Sequence, residues 1–507
     1  VLAALAAATA VVFVAARPPG ERNAGDVYSD VDRFISVLQH IRGYYVDETD
    51  DDELIKGAIK RMLADLDPHT QYLEGSSLSE LKVGTTGKYS GVGMEISTRR
   101  GHPIVVSPME GTPAERAGLR TGDVIMSIDG HETYGMLLQD ISGALKGPAG
   151  TSVTLTVRRR GETDPIDFTV VRDVIHIPNI SMCTVIEPKI GYVRMNRFAA
   201  GTARELGSCL DRLEAGGITG LVLDLRGNPG GLLLEATRAC EQFLPEGRLV
   251  VSTRGRVSGE SVEYLSRSTG TRVSLPMAVL VDGGTASAAE IVAGAIQDWD
   301  LGLIVGDVTF GKGSVQRVME LGGNQALKLT TSYYYTPSGR CIHNRSKEEN
   351  GNGEAPGEDG ADESAGSADT TSAGGGGRYF TAAGRAVRGG GGITPDVIVK
   401  RAHPSRFERT LESRGLFFDF AVDYAVKNPD LAPAAVSAET IRSFREFILD
   451  EGVSFDESEF ESARGFISLG IRRELARRAD GDEGARLVAL RGDSTVATAV
   501  RLLRDAK

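Results

Sequence analysis

The chain has 507 residues, 41% of them hydrophobic and 25% charged, with a formal net charge of −12. That length exceeds one ordinary core and points to about three domains, and the acidic balance excludes nucleic acid or an anionic membrane as the main partner, since both reward basic patches. Cys183, Cys209, Cys240 and Cys341 form no C-x-x-C pair and have no histidine at metal-ligand spacing. They read as small buried side chains rather than as a disulfide, and neither a metal nor a cofactor is expected.

In chain order, residues 1–16 form an uncharged apolar run that Arg17-Pro18-Pro19-Gly20 breaks. The run is short for a spanning helix and suits the apolar stretch of a secretory signal, with Val14-Ala15-Ala16 as a cleavage site. The sequence starts at Val rather than Met, so with a basic flank upstream the run would serve as a signal anchor instead. Residues 1–25 are therefore assigned to a signal peptide or membrane anchor. The protein is expected in the cell envelope, periplasmic or membrane-anchored and facing away from the cytoplasm, or secreted.

Residues 26–81 read as a helical region. Val31, Phe34, Ile35, Leu38 and Ile41 share one helix face, and Leu54, Ile55, Ala58, Ile59, Met62, Leu63 and Leu66 share another. Asp50 and Glu53 have the spacing of a capping box, and Asp67-Pro68 stops the helix. Residues 82–172 change to short strands and tight turns. Thr112-Pro113-Ala114-Glu115 opens a helix of little more than one turn that Gly118 closes, Asp129-Gly130 turns a strand, Met136 to Leu145 is helical, and Val153 to Val157 alternates. This order resembles a PDZ domain, most strongly over residues 111–130. The resemblance implies that Val92, Gly93 and Met94 offer backbone amides to a chain-terminal carboxylate, and that the peptide adds as a strand beside the helix. A small β-domain that merely positions the rest of the protein is the plainer alternative.

Residues 173–345 alternate strands with helices, which indicates an α/β core with a largely parallel sheet and reactive groups at the carboxyl ends of the strands. Residues 346–392, rich in Gly, Ser, Asp and Glu, read as a disordered insertion. Residues 393–403 return to the core, and 404–507 read as helical with no site found there. The fold class is thus α+β and multidomain.

Two strand-to-helix turns carry the chemistry. One is Leu223-Asp224-Leu225-Arg226-Gly227-Asn228-Pro229-Gly230-Gly231, whose glycine-rich backbone can hold a negative oxygen. The other is Asp282-Gly283-Gly284-Thr285-Ala286-Ser287-Ala288-Ala289-Glu290, which puts a serine in the first turn of a helix. A nucleophile beside an oxyanion cradle is what acyl transfer needs. None of the seven histidines falls between residues 181 and 336, and G-x-S-x-G is absent, so a histidine triad is disfavoured. Lys312 follows in Phe310-Gly311-Lys312-Gly313-Ser314, and a lysine acts as a base where burial lowers its pKa. Gln316 could hold its nitrogen in line.

Ser287, the lysine 25 positions later and the glutamine 4 beyond it resemble the C-terminal processing peptidases, Ser–Lys peptidases that carry a PDZ domain before the catalytic core. The likeness spans roughly residues 26–396. It includes Leu66-Asp67-Pro68-His69-Thr70 and Tyr333-Tyr334-Tyr335-Thr336-Pro337-Ser338-Gly339-Arg340. The family usually has serines where Thr285 and Ala289 stand here, but the central serine is kept. The resemblance implies a crotonase/ClpP-like core with Ser287 as nucleophile, Lys312 as base and Gln316 as its orienter. It also implies an oxyanion hole from the amide of Ala288 and one of Gly230 or Gly231, with Gly230 preferred. Protein or peptide substrates with free C-termini are the implied partners, cut near that end with small or apolar residues favoured. An adaptor or an oligomer is left open.

Gly306 to Gly313 nearly spells a P-loop, but Gly313 replaces the Ser/Thr that would hold magnesium. Ser79-Glu80-Leu81-Lys82 matches S-x-x-K without K-T-G or S-D-N downstream. A catalytically inactive peptide-binding scaffold should have lost Ser287, Lys312 or Gln316, and all three are present. Alone, Ser287 reads as a helix cap and Lys312 as a solvated loop charge; their joint occurrence favours an enzyme.

Overall fold

The computed structural model describes residues 24–267, 272, 275–344, 378–400, 403–428 and 436–505. The apolar run at 1–16 and residues 346–377 of the expected insertion lie outside the described residues. The chain divides into two compact units after Asp67. The first holds α1 (Ala24–Tyr44) and α2 (Asp51–Ala64). Asp50 caps α2 by accepting the amides of Asp52 and Glu53 at 2.8 and 3.4 Å, and Val31, Phe34 and Ile35 of the α1 stripe stay exposed.

The second unit opens with a strand where the sequence suggested helix. β1 (Gln71–Glu74) precedes α3 (Gly75–Thr86) and pairs with a distant core strand in the register Gln71↔Lys328 to Glu74↔Gln325. Four residues are too few to show a period of two, so only the partner strand reveals them. β2 (Lys88–Gly91) then leads into a β-module made of β3 (Met94–Arg99), β4 (His102–Pro108), α4 (Pro113–Arg116), β5 (Val124–Ile128), β6 (His131–Glu132), α5 (Leu138–Leu145), β7 (Ser152–Arg158) and β8 (Ile166–Val171). Its sheet runs β3-β4-β5-β7-β8, with β6 on β5, so β3 is an edge strand. Val105, Ile125, Ile141, Val153, Leu155 and Val157 form its core, and the alternation read in β7 puts Val153, Leu155 and Val157 inside. β9 (Asp173–His176) returns antiparallel to β2, making a two-stranded stem beneath the module.

The α/β core comprises β10 (Ile180–Glu187), β11 (Ile190–Met195), α6 (Thr202–Ala215), β12 (Gly220–Asp224), α7 (Leu233–Cys240), β13 (Leu249–Gly255), β14 (Glu263–Leu265), β15 (Met277–Val281), α8 (Ala288–Asp298), β16 (Gly302–Gly306), β17 (Ser314–Gly322), β18 (Gln325–Tyr335), β19 (Tyr379–Phe380), β20 (Ala386–Val387) and β21 (Val397–Ile398). The central sheet has the order β10-β11-β12-β15-β16-β21, parallel from β11 onward. β12 and β15 are buried along their whole length, as strands covered on both faces must be. A second sheet joins β18 to β1, β13 and β17. Within the expected insertion the described residues include the β19–β20 pair, which lies before the expected return of the core at 393, and Arg385 in its turn pairs with Asp300 and Asp396 at 2.6 Å each.

Beyond the core lie α9 (Arg406–Ser413), α10 (Leu416–Lys427), α11 (Ala438–Asp450), α12 (Glu457–Ser462), α13 (Arg464–Arg491, kinked at Asp480 and Gly481) and α14 (Ser494–Asp505). Phe407, Phe417, Phe420, Phe444 and Phe460 give this region its own core. Phe418 and Val422 of α10 also pack on Ile104 of the β-module, and the pairs Arg100–Glu451 and Arg160–Asp423 flank that contact. α14 does not stay with the other helices. Val496, Ala499, Val500 and Leu503 lie on the face of the central sheet opposite α6, α7 and α8, against Tyr192, Val222, Ala278 and Leu280.

One expectation from the cysteines is overturned. Cys183 on β10 and Cys209 on α6 form a disulfide in which Cys240 and Cys341 take no part. A strand and the helix that follows its neighbour come together only in three dimensions, so spacing in the chain gave no signal. The two cysteines lie 26 residues apart, and closing a loop of that size restricts the unfolded chain by roughly 3–4 kcal/mol. The Cys183→Ser/Cys209→Ser double variant should lose stability of that order in denaturant titration, and a reductant should lower the wild type to the same level.

Candidate active site

The second of the two turns read in the sequence joins β15 to α8. Ser287 stands at its apex with φ 54° and ψ −118°, a backbone conformation that a non-glycine residue adopts only under strain. Gly230 fits against this apex so closely that a Cβ there would lie 2.7 Å from Ala286 O and Ala288 N and 2.8 Å from Ser287 Cβ. The glycine turn and the serine turn thus interlock where the parallel strands β12 and β15 end.

Three hydrogen bonds fix the glycine turn. Asn228, fully buried, donates from Nδ2 to Met195 O at 2.9 Å, and its Oδ1 accepts the amide of Gly230 at 2.9 Å. Its carbonyl accepts the amide of Ala286 at 2.9 Å. The preference for Gly230 in an oxyanion hole is therefore corrected: its N–H is already spent on the Asn228 side chain. The amide of Gly231 has no acceptor among the described residues. Ala288 opens α8, where an amide has no intrahelical partner.

The serine and lysine segments share two anchors that the sequence reading did not single out. Glu290, wholly buried, accepts the amides of Ser287 at 2.8 Å, Gly311 at 2.8 Å and Lys312 at 2.9 Å, together with the hydroxyl of Thr309. Tyr334 on β18, also buried, has its one hydroxyl within hydrogen-bond distance of the carbonyls of Ser287 and Lys312, which share its proton. A signal for Glu290 was present, since Ser-x-x-Glu at a helix start is a capping-box spacing. Its reach to a loop 20 residues further on was not legible. Tyr334 lies inside the Tyr333-Tyr334-Tyr335 run, with nothing in the sequence to rank it above its neighbours.

Gln316 sits on β17 and donates from Nε2 to Ser314 Oγ at 3.0 Å and Thr330 Oγ1 at 3.3 Å, which aligns its side chain along the β17–β18 ladder. His343 falls just outside the segment searched for histidines. It packs beside the lysine loop, with Nδ1 3.4 Å from the amide of Gly313 and its ring 4.8 Å from that of Tyr333. Arg340, fully buried, bonds Gln297 Oε1 at 2.6 Å and Asp298 Oδ1 at 2.7 Å, tying the end of α8 to the turn after β18. No cluster of metal-binding side chains occurs among the described residues.

Val92, Gly93 and Met94 lie apart from this centre, at the start of edge strand β3. The carbonyl of Val92 accepts from Ala114 N at 2.8 Å, and that of Gly93 from Met109 N at 3.0 Å and Thr112 Oγ1 at 2.7 Å. Gly93 has φ +79°, and a Cβ there would fall 2.4 Å from Thr112. With both carbonyls turned inward, the amides of Val92 and Gly93 have no acceptor among the described residues.

Burial pushes the Glu290 carboxyl up from its ordinary value of 4.5 to about 7, against the four donors that favour its charged form. The folded protein therefore binds an extra proton between those values. This group's contribution is most favourable below pH 4.5, falls as pH rises, and reaches its full cost above pH 7, on the order of 3 kcal/mol. Glu290→Gln should flatten that part of the stability–pH curve. It should also loosen the lysine loop, because an amide NH₂ then faces N–H donors. Urea titrations at pH 5 and pH 8, with hydrogen exchange at residues 309–313, measure both effects.

Profiles of peptidase family S41 and of the PDZ domain match residues 189–350 and 104–159. The chain is 39% identical over 338 residues to the carboxy-terminal-processing protease of Bartonella bacilliformis, covering 66% of this chain and 77% of that one. It is 33% identical over 327 residues to the carboxy-terminal processing protease CtpA of Bacillus subtilis, covering 64% and 69%. Among solved structures, the photosystem II D1 C-terminal processing protease is 28% identical over 72% of this chain and 92% of that one, at a TM-score of 0.38.

Proposed function

This chain belongs to the carboxy-terminal processing proteases of peptidase family S41 and is a serine peptidase with a PDZ domain, and we propose that Ser287 is its nucleophile and Lys312 its general base. The observation that carries this assignment is the double hold on the two segments, in which Glu290 and Tyr334 each bond both. A lone cap or a lone surface charge would need neither.

In the proposed reaction, Ser287 Oγ attacks the scissile carbonyl carbon and its proton passes to neutral Lys312 Nζ. The amides of Ala288 and Gly231 receive the oxyanion, and Gln316 is assigned to hold the lysine nitrogen in line through Oε1, its NH₂ being engaged with Ser314 and Thr330. Collapse of the tetrahedral species breaks the C–N bond, and Lys312 returns the proton to the leaving amine. Water then attacks the acyl-enzyme by the same path in reverse. Strain at Ser287 presents its side chain above the helix start, where the partial positive charge of α8 favours the oxyanion.

The substrate's C-terminus is proposed to reach the Val92 and Gly93 amides and add along edge strand β3. Export is proposed as well. The Cys183–Cys209 disulfide needs an oxidising compartment, and residues 1–16 have the character of a secretory run. No described helix is long and apolar enough to cross a membrane.

On an unstructured protein with an apolar C-terminus, Ser287→Ala and Lys312→Ala should each lower turnover by roughly 10⁴-fold or more with the fold retained. Turnover unchanged in both would move the chain to the inactive peptide-binding scaffold. Amidating the substrate's C-terminus should raise KM about tenfold at constant kcat, the loss of one charge-assisted contact; an unchanged KM would remove the carboxylate cradle. A fusion of residues 1–25 to a reporter active only after export should be active.

A further inference from the structure

The last helix of the chain reaches the catalytic centre from behind. Arg226, 4% exposed, follows β12 and precedes the glycine turn. Its Nε and Nη2 bond Asp224 Oδ1 at 2.9 Å and Oδ2 at 2.6 Å, and its remaining terminal nitrogen, Nη1, bonds Asp493 Oδ2 at 2.6 Å. Asp224 is fully buried and also accepts the Tyr192 hydroxyl at 2.6 Å. Asp493 Oδ1 meanwhile accepts the amides of Thr495 at 2.8 Å and Val496 at 3.2 Å, and so caps α14. One carboxylate therefore serves a helix start with one oxygen and a buried guanidinium with the other.

We propose that Asp493 is a positioning residue for the oxyanion side of the active site. This rests on the reading of Ala288 and Gly231 as the oxyanion donors. Arg226 stands one residue before Gly227, whose amide is held by Asp282 Oδ1 at 2.9 Å, and five before Gly231. Asn228 fixes the turn from the side of the serine, and Arg226 fixes it from the side of the sheet. Without the Asp493 oxygen, a buried Nη1 loses this acceptor, and a guanidinium in that state rotates or draws in water to find another. The displacement is delivered to the turn that carries the Gly231 amide. Oxyanion donors act only when their distance to the developing charge is right, so the effect falls on the transition state and leaves substrate binding nearly untouched.

Asp493→Asn and Asp493→Ser separate the two tasks, because Asn and Ser both cap a helix but neither pairs with a guanidinium as a carboxylate does. Both variants should fold, lose about tenfold in kcat with KM within about twofold, and bind a peptide boronate about tenfold more weakly, since its tetrahedral adduct places an oxygen on the same amides. Arg504→Ala, which removes the α14 contact to Glu187 at the other end of the helix, should leave kcat and boronate affinity unchanged. Wild-type kcat and boronate affinity in both Asp493 variants, with Ser287→Ala inactive, would overturn this inference and leave the assignment of the nucleophile standing. Retained activity in Ser287→Ala would remove that assignment and this inference together. Failure of both Asp493 variants to fold would also overturn it, placing the residue in the fold rather than in the site.

Discussion

A single carboxylate that water cannot reach holds this active site together. Glu290 receives three backbone amides and one hydroxyl, drawn from the serine turn and from the lysine loop. In a low-dielectric interior such charge-assisted bonds are strong, and each unmet donor is costly, so the two segments cannot drift apart independently. The Tyr334 phenol repeats the connection through the carbonyls of the same two residues. Amides and carbonyls of both segments are thereby committed to one arrangement.

The surrounding architecture explains why this carboxylate can be buried at all. Parallel strands β12, β15 and β16 end at one edge, covered on both faces, and deliver the glycine turn, the serine turn and the approach to the lysine loop side by side. Arg340 locks the far end of α8 through Gln297 and Asp298, so the helix that presents Ser287 is held at both ends. The β-module stands on the β2–β9 stem and is contacted by α10, which leaves the outer edge of β3 without a neighbouring strand in its sheet.

Features that depend on local chemistry were legible in the sequence. The strand–turn–helix texture around Ser287, the glycine turn, the lysine 25 residues on and the order of the β-module could all be read from residues near one another in the chain. Features that depend on meetings between distant segments were not. Cys183 and Cys209 meet because β10 and α6 do, β1 is a strand because β18 lies beside it, and Asp493 matters to Arg226 because α14 returns to the sheet. The oxyanion donor lies between these cases: two adjacent glycines were visible, but the Asn228 side chain that occupies the first is a matter of rotamer and burial. The family pattern pointed to the glycine pair, and the packing leaves the Gly231 amide without an acceptor among the described residues.

The return of α14 also bears on when the protein becomes whole. The strands of the central sheet are complete by Ile398, yet one of its faces, including Tyr192, Val222 and Leu280, stays bare until residues 496–503 have been made. A chain emerging from a ribosome or threading through a narrow channel exposes that apolar face until α14 follows. Closure of the core therefore waits for a helix made long after the last strand of the sheet it covers.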